Sequence, residues 1–291
     1  MASDSGEALA AAEAAIRAGT PKAALASLTA AVKAAPAQVK LRIFLAQLLC
    51  VLGQWERAHT QLNVVAEMDA SAIPMREMVG HALRCEKIRA AVFEGRRAPM
   101  IFGAPDAWLA CLIESMLRRA SGQTQLARSL AAEAFEAAPA SPGRIDGRPF
   151  EWIADADSRL GPVLEAMVNG RYYWVPFNRL ARVDIEAPAD LRDMVWLPAQ
   201  LRFANGGEVI AMLPTRYPGS ERSEDDQILM ARRTDWRKDA LDEDDEQRWL
   251  GLGQRVLVTD QGEHDLLSVR SIEIDPAPGD AAAGQPAAGH G

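Results

Sequence analysis

"GTPKAALASL" at residues 19–28 and "GQWERAHTQL" at residues 53–62 decide how the first half of this chain is read. Gly19, Ala24 and Leu28 recur as Gly53, Ala58 and Leu62, each 34 residues further on. A third copy fits at Gly122, Ala127 and Ala131, and Pro139 follows its glycine at the same distance as Pro36 follows Gly19. Glycine marks a turn between paired helices, where a left-handed backbone costs it little. The small alanine lets those helices approach closely.

A period of 34 is that of the tetratricopeptide repeat, a helix-turn-helix unit. Gly53 and Gly122 are 69 residues apart, two periods plus one, so a degenerate unit is expected across "MREMVGHALRCEKIRAAVFEG", residues 75–95. Three repeats suffice for a stack in which each unit covers its neighbour's apolar face. If Gly53 closes the first helix of its repeat, Lys40, Ile43, Gln47, Cys50 and Val51 line the concave side. Leu109, Leu112, Met116, Arg119 and Ala120 line it in the last repeat. This apolar, weakly basic lining suits an amphipathic partner helix laid in a groove. The alternative is that some of these positions are ordinary inter-repeat core.

Charge divides the chain. Residues 1–140 carry 15 Lys/Arg and 13 Asp/Glu, which leaves 17 and 27 of the totals of 32 and 40 for the remainder, a balance of +2 against −10. The overall −8 argues against nonspecific nucleic-acid binding, which needs cations to displace phosphate counterions, and against docking on an anionic membrane. No apolar run is long enough to span a membrane, and "MASDSGEALA" lacks the basic and apolar regions of a secretory signal. Cys50, Cys85 and Cys111 are widely spaced in helical context and read as reduced thiols of a cytoplasmic protein, neither a disulfide frame nor a zinc site.

"AAPASPGRIDGRPF", residues 137–150, concentrates Pro and Gly and ends the helical pattern. Beyond it lie five of the seven tryptophans and all three tyrosines. "DADSRLGPVLEAMVNG" reads as a short helix capped by Asp157 or Ser158. Strand-like runs follow: "RYYWVPF", "LARVDIEA", "MVWLPAQLRFA", "EVIAMLPTRY", "QRVLVTD" and "LLSVRSIEI", with hairpin signals in "ANGGE" and "TDQGEHD". The expected fold is α+β: a tetratricopeptide-like α-solenoid over 1–140, a linker at 141–150, and a small antiparallel, partly closed β-barrel domain with one or two helices over 151–275. A disordered Ala/Gly/Pro tail at 276–291 completes it. The acidic run Asp239–Gln247 reads as a solvated loop.

No nucleotide-binding loop, HExxH or GxSxG pattern is present, and His59, His81, His264 and His290 are scattered. No catalytic residue, metal or cofactor is expected. The most enzyme-like cluster is Asp155 and Asp157 with Arg159, Tyr172 and Tyr173 nearby; an uncharacterised hydrolase or small-ligand domain centred on Asp155, Asp157, Arg159, Tyr172 and Arg216 is the alternative function, with Tyr217 next to Arg216 in "LPTRYPGSE". Against it, residues two apart do not face each other on a helix, and the same side chains can lock the interface between the halves. On a strand, Tyr172 and Trp174 point one way and Tyr173 and Val175 the other, so both faces are covered.

The blocks "DADSRLGPVLEAMVNGRYYWVPF", "DLRDMVWLPAQL", "ANGGEV", "LPTRYPGSE", "ARRTDW" and "GLGQRVL", in order between Glu151 and Ile274, closely resemble the ImpE family, also called TagJ or SciE-type. The resemblance implies a helical half joined to a β-rich half and a non-enzymatic accessory role in type VI secretion, carried out in the cytoplasm. It also implies a partner, the small contractile-sheath subunit (TssB-like), bound through a helix near that subunit's N-terminus. The acidic run and the tail depart from the family pattern without touching a matching block.

Overall fold

The computed structural model describes residues 2–104, 106–239 and 248–276. The tail beyond Pro276, the acidic run after Asp239 and His290 lie outside the described residues. In the first half, α1 (Ala2–Arg17) pairs with α2 (Pro21–Ala34) and α3 (Val39–Val51) with α4 (Trp55–Met68). The long α5 (Ile73–Phe93) follows, and then the pair α6 (Ala107–Ala120) and α7 (Thr124–Ala137). Gly19, Gly53 and Gly122 make the three hairpin turns with φ of 77°, 66° and 78°. After each, the next residue's N–H reaches back five places to a helix carbonyl, Thr20 to Ala15, Gln54 to Leu49 and Gln123 to Arg118, all at 2.9 Å. That closure satisfies carbonyls the helix end leaves without partners, and it explains why glycine recurs at the period. The repeat positions Ala24, Leu28, Ala58, Leu62, Ala127 and Ala131 are all buried.

The degenerate unit differs from expectation. Residues 73–93 form one uninterrupted helix, in which Gly80 is helical, and the left-handed glycine comes only at Gly95. With no turn inside it the segment has no second helix, and strands of the other half pack where that helix would lie.

Those strands are β1 (Met100–Ile101), β2 (Gly143–Ile145), β3 (Arg148–Phe150), β4 (Ile153–Asp155), β5 (Val163–Val168), β6 (Arg171–Pro176) and β7 (Leu180–Ile185). They continue as β8 (Trp196–Phe203), β9 (Glu208–Pro214), β10 (Thr234–Lys238), β11 (Trp249–Gly253), β12 (Val256–Thr259), β13 (Gly262–Asp265) and β14 (Ser271–Ile274). Nine of them form one sheet in the order β1-β6-β5-β9-β8-β7-β14-β2-β3, antiparallel except where β1 meets β6. The sheet curls around a core of inward residues such as Leu164, Val175, Leu197, Val183 and Ile272. Its ends do not meet, so the partly closed barrel is corrected to an open sheet: β1 and β3 remain edges, and the separate trio β13-β12-β4 lays Leu257 and Ile153 on that core.

Two further expectations change. "VLEAMV" is strand β5, buried at all six positions, and not part of a helix. Gly161 takes φ 56° and Pro162 follows, which ends the preceding turn and starts an extended segment whose six residues pair in full with β6. The linker at 141–150 is also structured: β2 and β3 pair across Asp146–Gly147, whose φ values of 48° and 79° make the mirror-image turn that matches strand twist.

Period-2 alternation sends Tyr172, Trp174, Met167, Trp196 and Met212 to the sheet face that meets the helices, and Val175, Leu164, Leu197 and Leu213 to the other. Trp174 packs 6.1 Å from the Phe93 ring of α5, and Trp196 5.8 Å from Trp55 of α4. The helices and this sheet face therefore share one hydrophobic core. Each fully buried large side chain contributes roughly 1.5–3 kcal/mol, so the halves are held together as a core is, not as two domains touching.

Candidate functional site

The expected partner groove is already full. Cys50, Val51, Leu109, Leu112, Met116 and Arg119 are buried beneath the protein's own sheet and loops. Only Lys40 is exposed, with Ile43 and Gln47 half-buried and Ala120 at the surface. The reading of these residues as a greasy trough open to a partner is therefore corrected. The inward positions were found, and what they receive is the chain itself: α3 lies against the 3-10 turn Leu191–Met194, and Arg216 donates to the Val51 carbonyl at 2.8 Å.

The polar cluster is brought together, and around a residue that the sequence reading passed over. Glu165, in the middle of β5, is 1% exposed. Its carboxylate accepts from Arg89 of α5 at 2.7 and 3.0 Å, from the Tyr172 hydroxyl, and from Arg255 at the start of β12. Trp174 donates its indole N–H to the Tyr172 oxygen at 2.8 Å, so the two aromatics on the helix-facing side of β6 brace the carboxylate. Arg255 also binds Asp155, and its Nε donates to the Pro214 carbonyl at 2.9 Å. The Tyr217 hydroxyl donates to Asp155 at 3.0 Å. Asp155 in turn accepts the backbone N–H of Asp157, and Asp157 takes Arg159 in a two-pronged pair along with the Gly251 N–H at 2.8 Å. Arg159 lies over the Phe93 ring, 4.7 Å from its centre. Tyr173 faces away, its ring tilted 54° to that of Phe102 at 4.8 Å in the other core.

Burial alone would lift the Glu165 pKa, but the Arg255 and Arg89 guanidiniums outweigh it and hold it at about 2. Asp155 goes the other way: burial raises it to about 6 against the pull of Arg255, with Asp157 adding repulsion. Burial lowers Arg216 to about 10, outweighing the pull of Glu86 and Glu221, and its guanidinium donates to the Val51 and Leu229 carbonyls. A carboxyl near 6 is suited to general acid–base work, yet Asp155, Asp157, Glu165, Tyr172 and Arg255 are each at most 3% exposed, and their oxygens and guanidiniums are engaged with one another. The arrangement can orient one half against the other. Among the described residues no group of three or more His, Cys, Asp or Glu is disposed to hold a metal.

Glu165 and Arg255 each left a signal in the sequence. A lone charge stands inside "VLEAMV" and inside "QRVLV", and such a charge in an apolar run needs a buried partner. Arg89 had no such flag, because a single arginine on a helix is ordinarily a surface residue.

A tetratricopeptide-type helical array is fixed to an open, mostly antiparallel sheet by buried ion pairs, and the array's inner face is used internally. Comparison with known proteins agrees. The family model described as ImpE protein matches residues 147–273, and a tetratricopeptide repeat model matches residues 15–77. The type VI secretion system accessory component TagJ of Pseudomonas aeruginosa is 47% identical over 265 residues, 91% of each chain. A crystal structure of a Vibrio parahaemolyticus protein superposes with a TM-score of 0.80 over 91% of this chain and 97% of that one, at 24% identity, and so shares the fold. The chain belongs to the ImpE family, of which TagJ is a member.

Proposed function

We propose that this protein is a non-enzymatic accessory component of a type VI secretion system, an adaptor that works in the cytoplasm and holds the small sheath subunit by a helix near that subunit's N-terminus. The observation that carries the reading is the relationship to TagJ over nine-tenths of both chains, taken with a polar cluster that is wholly engaged in joining the two halves. A frame of this kind is suited to binding rather than turnover. The contact surface is the part of the repeat array left open, beginning with the accessible Lys40, Ile43 and Gln47 of α3.

Co-purification tests this reading. The small sheath subunit should be retained by the protein, and lost when the subunit's N-terminal helix is deleted. Ile43→Asp should weaken retention without altering the melting temperature by more than a few degrees. Failure of the intact subunit to bind sinks the adaptor reading; intact binding by Ile43→Asp moves the contact away from α3.

A further inference from the structure

A large opening lies away from the ion-pair cluster. It is a cleft of about 830 Å³ between the segments that enter α6 and leave α7 on one side and the β8–β9 hairpin on the other. Its volume is within the range of pockets that take ligands, ~300–1,000 Å³. Phe102 and Phe203 form an apolar floor, their rings stacked 4.4 Å apart at 17°.

Two polar atoms in its walls have no hydrogen-bond partner: the hydroxyl of Ser141, a residue only 4% exposed, and the side-chain oxygen of Asn178. A buried polar atom left unpaired costs roughly 1–3 kcal/mol, and elsewhere in the described residues such atoms are rare. Both atoms are shut off from water, and both residues border the opening; a ligand would engage them after a turn about χ1. A hydroxyl that can donate and an amide oxygen that accepts are the complement of a peptide C=O and N–H. A helix has already used those groups within itself, whereas an extended chain presents them outward.

The rim supplies the remaining chemistry. It carries Asp106, Glu208 and Asp275, of which Asp106 is paired with Arg179 at 2.7 Å and Glu208 with Arg202 at 2.8 Å, so that the charge left over is that of Asp275. Asp275 makes no ion pair among the described residues. Anionic ligands are disfavoured here and cationic side chains favoured.

We propose that this cleft receives an extended peptide segment of a partner protein, with an apolar side chain set on the Phe102–Phe203 floor and Lys or Arg at the rim. Pro276 lines the cleft, but the sequence that follows it, residues 277–291, contains no Lys or Arg and does include Asp280, so it suits the rim poorly. The proposal is independent of the sheath-helix reading, since it concerns a different surface and a non-helical ligand.

The test is fluorescence anisotropy of the full chain with a fluorescein-labelled octapeptide alternating lysine and leucine, and with its glutamate–leucine counterpart. The lysine peptide should bind at least about tenfold more tightly than the glutamate peptide. A cationic peptide is attracted to any chain of net charge −8, so the charge-neutral Ser141→Ala is the decisive variant. It should weaken binding about three- to tenfold, the loss of one hydrogen bond, while leaving the melting temperature unchanged or higher because an orphaned hydroxyl is gone. Asp275→Lys should weaken binding as well. No binding by either peptide, equal binding of both, or indifference to Ser141→Ala overturns the proposal. A tenfold gain in affinity on deleting residues 277–291 overturns it too, by making the chain itself the occupant.

Discussion

Replacing Glu165 by Gln keeps the shape of the side chain and removes one charge from the centre of the cluster. Two guanidiniums, Arg89 of α5 and Arg255 of β12, then face each other across a neutral amide in a site 1% exposed. The size of the effect follows from the pKa: its fall from 4.5 to about 2, at 1.36 kcal/mol per unit, favours the ionised form by about 3 kcal/mol. Removing one member of a buried pair typically costs about 3–5 kcal/mol, because the other charge stays buried without compensation. A chain of this size loses roughly 2–4 °C per kcal/mol, so Glu165→Gln should melt about 10 °C lower, read by calorimetry or by urea unfolding followed through tryptophan fluorescence. Arg89→Gln combined with Glu165→Gln should cost less than the sum of the two, by more than about 1 kcal/mol. A loss below about 1 kcal/mol for Glu165→Gln, or strict additivity, refutes the argument that this ion pair fixes the helices to the sheet. The contribution of Glu165 also has a defined pH window: because its folded pKa is depressed, the stabilisation is complete above about pH 4.5 and disappears as the pH falls towards 2.

Asp155 should show the opposite pH dependence. Burial raises its folded pKa from 3.8 to about 6, so its ionised form costs stability above about pH 6 and that cost vanishes as the pH drops towards 4. The gain in melting temperature between pH 7.5 and pH 5 should therefore be smaller in Asp155→Asn than in the parent, and equal gains would count against the shift. Gly53→Ala should destabilise by about 2–3 kcal/mol in urea, since a left-handed alanine is strained and its Cβ would lie 2.7 Å from that of Glu221. Gly122→Ala, with the same φ but nothing within 4 Å, should lose only about 1 kcal/mol; equal losses would mean the Glu221 contact is unimportant. Burial pushes the Cys50 thiol up to about 12 and Cys85 to about 11. Native protein at pH 8 should thus present only the half-buried Cys111 to a thiol reagent, with all three reacting after denaturation.

What the sequence revealed and what it hid divide along a physical line. The helix-ending glycines, Gly19, Gly53 and Gly122, were legible because a left-handed turn admits few other residues and so repeats with the period. The hairpin at Ala204–Gly207, with Gly206 at φ 83°, was legible for the same reason, and that at Asp260–Gln261 from its polar turn residues before Gly262. Strand β5 was misread because "VLEAMV" has neither alternation nor length to separate strand from helix; only its neighbours β6 and β9 decide it. "RIDGRP" carried a DG turn signal that the surrounding prolines masked. The side chains of the polar cluster were named, but their centre at Glu165 was not, since its partners lie 76 and 90 residues away and no local pattern joins them.

The filled inner face changes what an isolated helical half would do. Residues 1–140 alone would leave Leu109, Leu112, Met116 and the inner face of α5 without Tyr172, Trp174 and Trp196 to cover them. Such a fragment would bind amphipathic helices readily, and for the wrong reason: the ligand would be replacing the chain's own sheet. Repeat arrays ordinarily bend, because each unit touches only its neighbours, and partners exploit that compliance. Here α5 is tied to β5 by Arg89–Glu165, α1 is capped by Arg232 at the Ile16 and Arg17 carbonyls, and α2 is tied to the loop before the short helix at Asp226–Leu229 by Lys22–Glu224. With the array braced along its length, a partner of the kind proposed would meet a surface that bends little, and less free energy would be lost in ordering it. Binding measured on the whole chain and on the helical half should therefore involve different residues: Ile43→Asp matters in the whole chain, whereas Leu112→Asp acts there only by unfolding it.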